Sequence, residues 1–267
     1  HWLSRVVYWA SRRRTRLKNP VKRWFIRRYG VDMEEALEPE PTAYPDFNAF
    51  FTRALRRGVR PLEGGPDEPV SPVDGRVSQA GRIRDSRLYQ AKGVDYTLAA
   101  LLGDTGPDVD AFRDGWFATL YLAPGDYHRI HMPLGGRPHR MCHVPGRLYS
   151  VAPWTVATIP GLFARNERVV TWFDTAKGPL ALVLVGAMNV AAIETVWHGL
   201  VTPPTRGGVH CRGYGADAAP IPRGEEMGRF NMGSTVIVIT PPAIELDRVP
   251  TAGSKIRLGQ RIGTLQS

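Results

Sequence analysis

Apolar residues along this chain change their spacing once, and the change divides it in two. Near the start, Trp2, Leu3, Val6, Val7 and Trp9 sit close to helical spacing. Pro20 interrupts the pattern, and Val21, Trp24, Phe25 and Ile26 resume it among Lys22, Arg23, Arg27 and Arg28. One or two amphipathic helices are expected over residues 1–28. An acidic, proline-rich connector follows over residues 32–45. Asp46 then caps an expected helix over residues 46–55, closed near Gly58. From Val70 onward the pattern is that of strands between Gly, Pro and Asp turns, over residues 76–83, 116–122, 147–151, 169–173, 180–185, 190–195 and 236–240, with a brief helix over residues 96–102. The expected fold is α+β and mainly β: an antiparallel β-sandwich or barrel-like core behind an N-terminal amphipathic helical segment. Residues 1–60 form the helical region and residues 61–267 the β-rich domain.

Charge sharpens this division. The chain of 267 residues carries a formal net charge of +10. Ten Lys or Arg and no Asp or Glu lie between His1 and Arg28, so this segment holds the whole excess. Tryptophans on one helix face with cations on the other are suited to an anionic membrane interface. No nucleic-acid-binding module accompanies the basic segment, so nucleic acid is not expected as a partner. No apolar run reaches membrane-spanning length, and no signal-peptide pattern is evident. Two cysteines, Cys142 and Cys211, make no disulfide framework and are expected as free thiols. No glycine-rich loop joins a strand to a long helix, which argues against nucleotide folds. Residues 253–263 resemble the last hairpin of small lipoyl-carrying barrels, without a lysine at the expected tip.

Chemistry can sit in three places. Asp74, in Ser71-Pro72-Val73-Asp74-Gly75, is a turn aspartate or the orienting acid of a histidine. His128 and His131 leave a strand beside Tyr127 and Arg129 and suit proton transfer near neutral pH. His139, Cys142 and His143 lie close in sequence, but no familiar zinc spacing appears and no metal is expected. Ser234 follows Gly233 at the mouth of the β-branched run Val236-Ile237-Val238-Ile239. A deprotonated Ser234 could attack the Gly233 carbonyl and turn the amide into an ester. The Gly-x-Ser-x-Gly elbow of common serine hydrolases is absent around the serines.

Taken together, these motifs resemble the bacterial phosphatidylserine decarboxylase proenzymes. The likeness runs through Phe47-Asn48-Ala49-Phe50-Phe51-Thr52-Arg53, Ser71 to Gly75, Gln90-Ala91-Lys92-Gly93 and Tyr127-His128-Arg129-Ile130-His131-Met132-Pro133. It continues through Leu162 to Arg168, Val185 to Val190, Gly224 to Phe230 and the Gly233-Ser234-Thr235 cleavage motif. The resemblance implies self-cleavage between Gly233 and Ser234 into a β chain, 1–233, and an α chain, 234–267. Ser234 becomes a covalent pyruvoyl cofactor. It also implies that His131 activates Ser234, that Asp74 holds the His131 imidazole, and that His128 delivers the proton after decarboxylation. The two histidine roles are interchangeable on sequence alone. The implied reaction converts phosphatidylserine to phosphatidylethanolamine and CO2 through a Schiff base between pyruvoyl and substrate amine. It would take place on the cytoplasmic face of the membrane, in a homodimer attached peripherally. Met232 is a mild departure before the cleaved bond. The alternatives are a pyruvoyl decarboxylase of another amine, an unprocessed membrane-binding scaffold, and a serine hydrolase.

Overall fold

A computed structural model of the protein describes residues 11–13, 15, 18–91, 94–187, 192–203, 208–231 and 234–265. Most of the helical pattern read over residues 1–17 lies outside them, as do Lys92, Gly93, Met188 to Val190, Met232 and Gly233. Helices α1 (Lys18–Tyr29) and α2 (Phe47–Phe51) meet around Phe25, whose ring lies against those of Phe47, Phe50 and Phe51. Lys22 is buried on the inner side of α1 and donates to the carbonyls of Pro41 and Tyr44, lashing the connector to the helix. Val21 and Trp24 remain exposed among arginines. Asp46 caps α2 as expected, its Oδ1 accepting from Ala49 N at 2.8 Å. The helix ends at Phe51, short of residue 55, because Ala54 and Leu55 pair with Ala36 and Leu37 of the connector.

The remainder is antiparallel sheet. Its strands are β1 (Gly75–Arg82), β2 (Arg87–Ala91), β3 (Val94–Thr97), β4 (Trp116–Tyr121), β5 (Arg129–His131), β6 (Gly136–Val144), β7 (Arg168–Thr175) and β8 (Gly178–Val185). After these come β9 (Ile193–Thr195), β10 (Gly199–Thr202), β11 (His210–Gly213), β12 (Glu226–Phe230), β13 (Thr235–Thr240), β14 (Ile244–Glu245), β15 (Lys255–Ile256) and β16 (Thr264–Leu265). Eight of them form one open sheet in the order β11-β6-β7-β8-β13-β4-β1-β15, and β10-β9-β12-β5 form a second. β2 pairs with β3 and β14 with β16. The core is thus an antiparallel two-sheet body, and the described strands close no barrel. Every residue of β13 is buried between β4 and β8, which explains its continuous β-branched run. A helix, α3 (Leu98–Leu102), occupies the expected place, capped by Thr97.

Three expectations change. No strand forms over residues 147–151; Arg147 makes a lone bridge to Asn166 before a short helix at Pro153–Val156. The strand lies earlier, as β6, where Arg137, Pro138, His139 and Arg140 break the apolar alternation and a bulge leaves His139 unpaired between Pro138 and Arg140. Residues 253–263 make no hairpin with themselves: β15 pairs with β1, and Arg261 bridges to Val70.

The third change concerns the cysteines, which are bonded to each other. Cys142 on β6 and Cys211 on β11 stand directly opposite in register, with Cα atoms 4.0 Å apart. Strand pairing brings together two thiols separated by 69 positions, which spacing alone does not show. A cross-link over that span has a chain-entropy ceiling of about 4 kcal/mol. Cys211→Ser is therefore expected to lower unfolding free energy by roughly 2–4 kcal/mol. Urea titration with and without reductant checks this, and reductant should not affect the variant.

Candidate active site

The two sheets meet where β12 gives way to β13. At one side of this junction Phe230 N donates to the carbonyl of His128 at 3.0 Å; at the other, Leu122 N donates to the carbonyl of Ser234 at 2.9 Å. The junction therefore runs beside the loop from Leu122 to His128 and is tied to it on both sides. Asn231, the last residue described before the gap, donates through Nδ2 to Glu194 at 3.0 Å.

Local chemistry shapes that loop. Asp126 Oδ2 accepts from Ala123 N at 2.7 Å and closes a tight turn. Gly125 packs against the end of α1, where an added Cβ would stand 2.7 Å from the Tyr29 carbonyl, so only glycine fits without displacement. Arg53 Nη2 donates to the Gly125 carbonyl at 3.2 Å.

His128 follows the turn and is fully buried. Its Nδ1 lies 2.8 Å from the Asp126 carbonyl, which can only accept, so Nδ1 carries the proton. Nε2 then holds a lone pair, and it is buried without a partner among the described residues. Burial pushes the His128 pKa down to about 3, with the Arg53 charge adding to the shift and the Asp126 carbonyl opposing it. Ser234 is equally buried, and its Oγ also has no partner among the described residues. A buried hydroxyl left unbonded is costly and calls for a reason.

His131 is arranged differently. It shares the Arg129 side of β5, while His128 falls on the side of the buried Ile130. Its Nδ1 donates to the Gly224 carbonyl at 2.7 Å, and its Nε2 accepts from Tyr127 Oη at 3.0 Å. Burial lowers its pKa and raises that of Tyr127. The lone pair of His131 is thus already engaged.

Asp74 does not hold His131. Its Oδ1 accepts from Leu258 N at 2.8 Å and Arg60 Nε at 2.9 Å, and its Oδ2 accepts from Arg60 Nη2 at 2.6 Å. The reason is topological: Asp74 immediately precedes β1, whose pairing with β15 draws the carboxylate toward Leu258. Arg60 also binds Glu35 at 2.6 Å, and this hydrogen bond, more than any other cause, lowers the Glu35 pKa. The Asp74 charge is still felt at Tyr127 and Arg53. A cleft of about 360 Å³ opens here, lined by Tyr29, Arg53, Arg60, Asp74, Asp126 and Tyr127.

Ser234 and His128 therefore lie in adjoining segments, His131 pairs with Tyr127, and Asp74 pairs with Arg60. Sequence reasoning missed Arg60, which lies fourteen positions from Asp74 in a turn-rich stretch and has no motif of its own. Tyr127 and Arg53 lay inside recognised motifs but had no assigned role. No group of His, Cys, Asp and Glu suited to a metal occurs among the described residues.

Comparison with known proteins finds relatives over most of the chain. A family model described as phosphatidylserine decarboxylase matches residues 47–264, and a second, described as PSD, matches residues 1–30. A phosphatidylserine decarboxylase proenzyme of Alkalilimnicola ehrlichii is 58% identical over 241 residues, covering 90% of this chain and 84% of the relative. Proteins of the same name from Marinobacter nauticus and Pseudomonas fluorescens are 50% and 52% identical, over 93% and 98% of this chain and 87% and 93% of their own. With the model covering most of its length and relatives this close, the chain belongs to the phosphatidylserine decarboxylase family.

Proposed function

We propose that the chain is a self-processing decarboxylase that converts phosphatidylserine to phosphatidylethanolamine and CO2, with a pyruvoyl group made from its own Ser234. One observation carries this reading: His128 Nε2 and the Ser234 hydroxyl, each without a hydrogen-bond partner among the described residues, are buried in two segments tied side by side. His128 Nε2 takes the Ser234 proton, Oγ adds to the Gly233 carbonyl, and the amide becomes an ester. Elimination releases the Gly233 carboxylate and leaves dehydroalanine at position 234. Hydrolysis then releases ammonia and leaves the ketone. The resemblance gave the base role to His131; we assign it to His128 because the His131 lone pair is engaged by Tyr127.

When formed, the pyruvoyl group supplies an electron sink for the departing CO2. The Tyr127–His131 pair is the proton source for the substrate carbon, with the phenol held unionised by burial. Asp74, through Arg60 and Leu258 N, fixes the wall of the cleft and its charge near Tyr127. Residues 1–60 are the membrane-associating part and residues 61–267 the catalytic part. Exposed Val21 and Trp24 beside Arg23, Arg27 and Arg28 suit a peripheral hold on an anionic surface at the cytoplasmic face. No helix among the described residues is long and apolar enough to cross a membrane. A homodimer of processed protomers completes the proposal.

Intact-mass spectrometry tests it. Two fragments that part between residues 233 and 234, the smaller with a blocked pyruvoyl end, should appear, together with release of CO2 from phosphatidylserine vesicles. An intact chain would sink the proposal and leave the scaffold reading. Cleavage without turnover of phosphatidylserine would point to another amine substrate.

A pH effect follows from burial. Unfolding lets His128 take a proton near pH 6.5, whereas the folded side chain resists it down to about 3. The resulting stability is complete above pH 6.5 and is lost as pH falls, by about 1.4 kcal/mol per unit. Between pH 6.5 and 5 the expected loss is roughly 2 kcal/mol, and His131, shifted in the same direction, adds to it. Urea titrations of the uncleavable Ser234→Ala chain, with and without His128→Asn, should show a shallower pH slope in the double variant.

A further inference from the structure

Arg53 has no part in the scheme above, yet its surroundings are unusual for a buried guanidinium. The residue is 4% exposed, and its side chain makes one hydrogen bond, from Nη2 to the neutral Gly125 carbonyl at 3.2 Å. Nε and Nη1 are buried with no partner among the described residues. Arg168, as deeply buried, gives its donors to the carbonyls of Ala100, Leu101, Ala164 and Asn166 and is held by backbone alone. Arg53 has no such set of acceptors. Donors shut away from water without acceptors are costly, and more so when they carry charge. Neighbouring carboxylates do not fill the need: Glu35 and Asp74 are held by Arg60, and Asp126 gives Oδ2 to Ala123 N. Burial pushes the Arg53 pKa below its ordinary value, with the charges of Tyr44, Asp74, Tyr127 and Asp126 opposing.

We propose that Arg53 recognises the phosphodiester of the substrate headgroup, and so selects a phospholipid over other serine-bearing amines. The inference rests on the decarboxylase reading. Arg53 lines the cleft of about 360 Å³ beside Tyr127. It is bonded at Gly125 to the loop whose Leu122 N is bonded to Ser234, so an anion held there lies along the same loop as the junction. Phosphatidylserine carries two anionic groups, and chemistry separates them. A guanidinium on the carboxylate would stabilise the group that must leave as CO2 and would oppose the reaction. The phosphodiester keeps its charge from substrate to product, and a planar set of N–H donors suits it. Because the tie to Gly125 is long and its acceptor neutral, turning the guanidinium toward the lipid breaks little. Exposed Arg76, Lys255 and Arg257 at the rim draw an anionic headgroup to the mouth of the cleft.

The experiment uses the processed full-length protein and dihexanoyl-phosphatidylserine below its micelle concentration, so that membrane attachment does not contribute. Arg53→Gln should raise KM for this lipid by about 10- to 100-fold, with kcat on the processed fraction within about threefold of wild type. An O-alkylserine of matched length, with amine and carboxylate but no phosphate, is titrated as a competitor, and its inhibition constant should be the same for both proteins. Glycerophosphocholine, which has the phosphodiester but a quaternary nitrogen that cannot condense, should compete in wild type and not in Arg53→Gln. Equal weakening toward the lipid and the O-alkylserine would mark a structural role and overturn the inference. Competition by inorganic phosphate without any by glycerophosphocholine would assign the site to free phosphate and overturn it as well. Intact mass and thermal midpoints accompany the kinetics. If Arg53→Gln gives no processed protein, Arg53→Lys takes its place, with a rise in KM of about three- to tenfold confined to the phospholipid. A processed wild type that releases no CO2 from the lipid would sink the decarboxylase reading and this inference with it, whereas normal wild-type turnover beside an unchanged KM in Arg53→Gln overturns the inference alone.

Discussion

Ser234→Ala is expected to yield one uncut chain with no decarboxylase activity above background. In the proposed scheme the hydroxyl is the atom that attacks and the same residue becomes the electron sink, so one substitution would remove both processing and catalysis. A group of this kind has no substitute among ordinary side chains, and the loss should not be partial. The fold should survive. Ser234 Oγ makes no hydrogen bond among the described residues, so its removal leaves no partner stranded. Intact mass and a vesicle assay read the two losses, and an unchanged or slightly raised thermal midpoint separates them from misfolding. Measurable turnover of phosphatidylserine by the uncut variant would contradict a cofactor derived from this serine.

His128→Asn should slow self-cleavage by at least about 100-fold, the lower bound for a general base in position. Asparagine can still donate to the Asp126 carbonyl but brings no lone pair of comparable basicity. His131→Asn is expected to slow cleavage by less than about tenfold, because the lone pair it removes is already bonded to Tyr127. That variant should lose most in turnover after processing, when the substrate carbon needs its proton. Time courses of chain cleavage, followed by kcat on the processed fraction, give the ranking. The reverse order would return the base role to His131.

Much of this was legible in the sequence, for reasons that particular residues make plain. β13 is buried on both sides, and its β-branched run said so. Asp46 capped its helix because the short carboxylate sits one turn from Ala49 N, a local relation that sequence spacing carries. β6 was missed because its charged and proline positions hide the alternation, and its place comes from pairing with β7 and β11. The same pairing joins Cys142 to Cys211 across 69 positions. At the site, Asp, His and Ser in chain order suggested one relay. Among the described residues Asp74 bonds Arg60 and Leu258 N, and His131 bonds Tyr127 and the Gly224 carbonyl, partners that the chain order does not carry. The split between the two histidines followed from strand alternation. Spacing of three residues puts them on opposite sides of an extended segment, whereas on a helix it would have put them together.

A cut at the proposed place would have a consequence for the life of the enzyme after maturation. The fragment that begins at residue 234 supplies β13 to the middle of the large sheet and β15 to its edge, and buries Val236, Ile237, Val238, Ile239, Ile244, Leu246 and Ile256. At roughly 1.5–3 kcal/mol for each such side chain, the pieces should not drift apart once severed. Unfolding is another matter. A proenzyme searches for its fold as one tethered polymer, but the matured protein must reassemble from two strangers at whatever concentration they happen to have. Maturation should therefore act as a ratchet: heat or denaturant that the precursor survives reversibly would retire the mature enzyme for good.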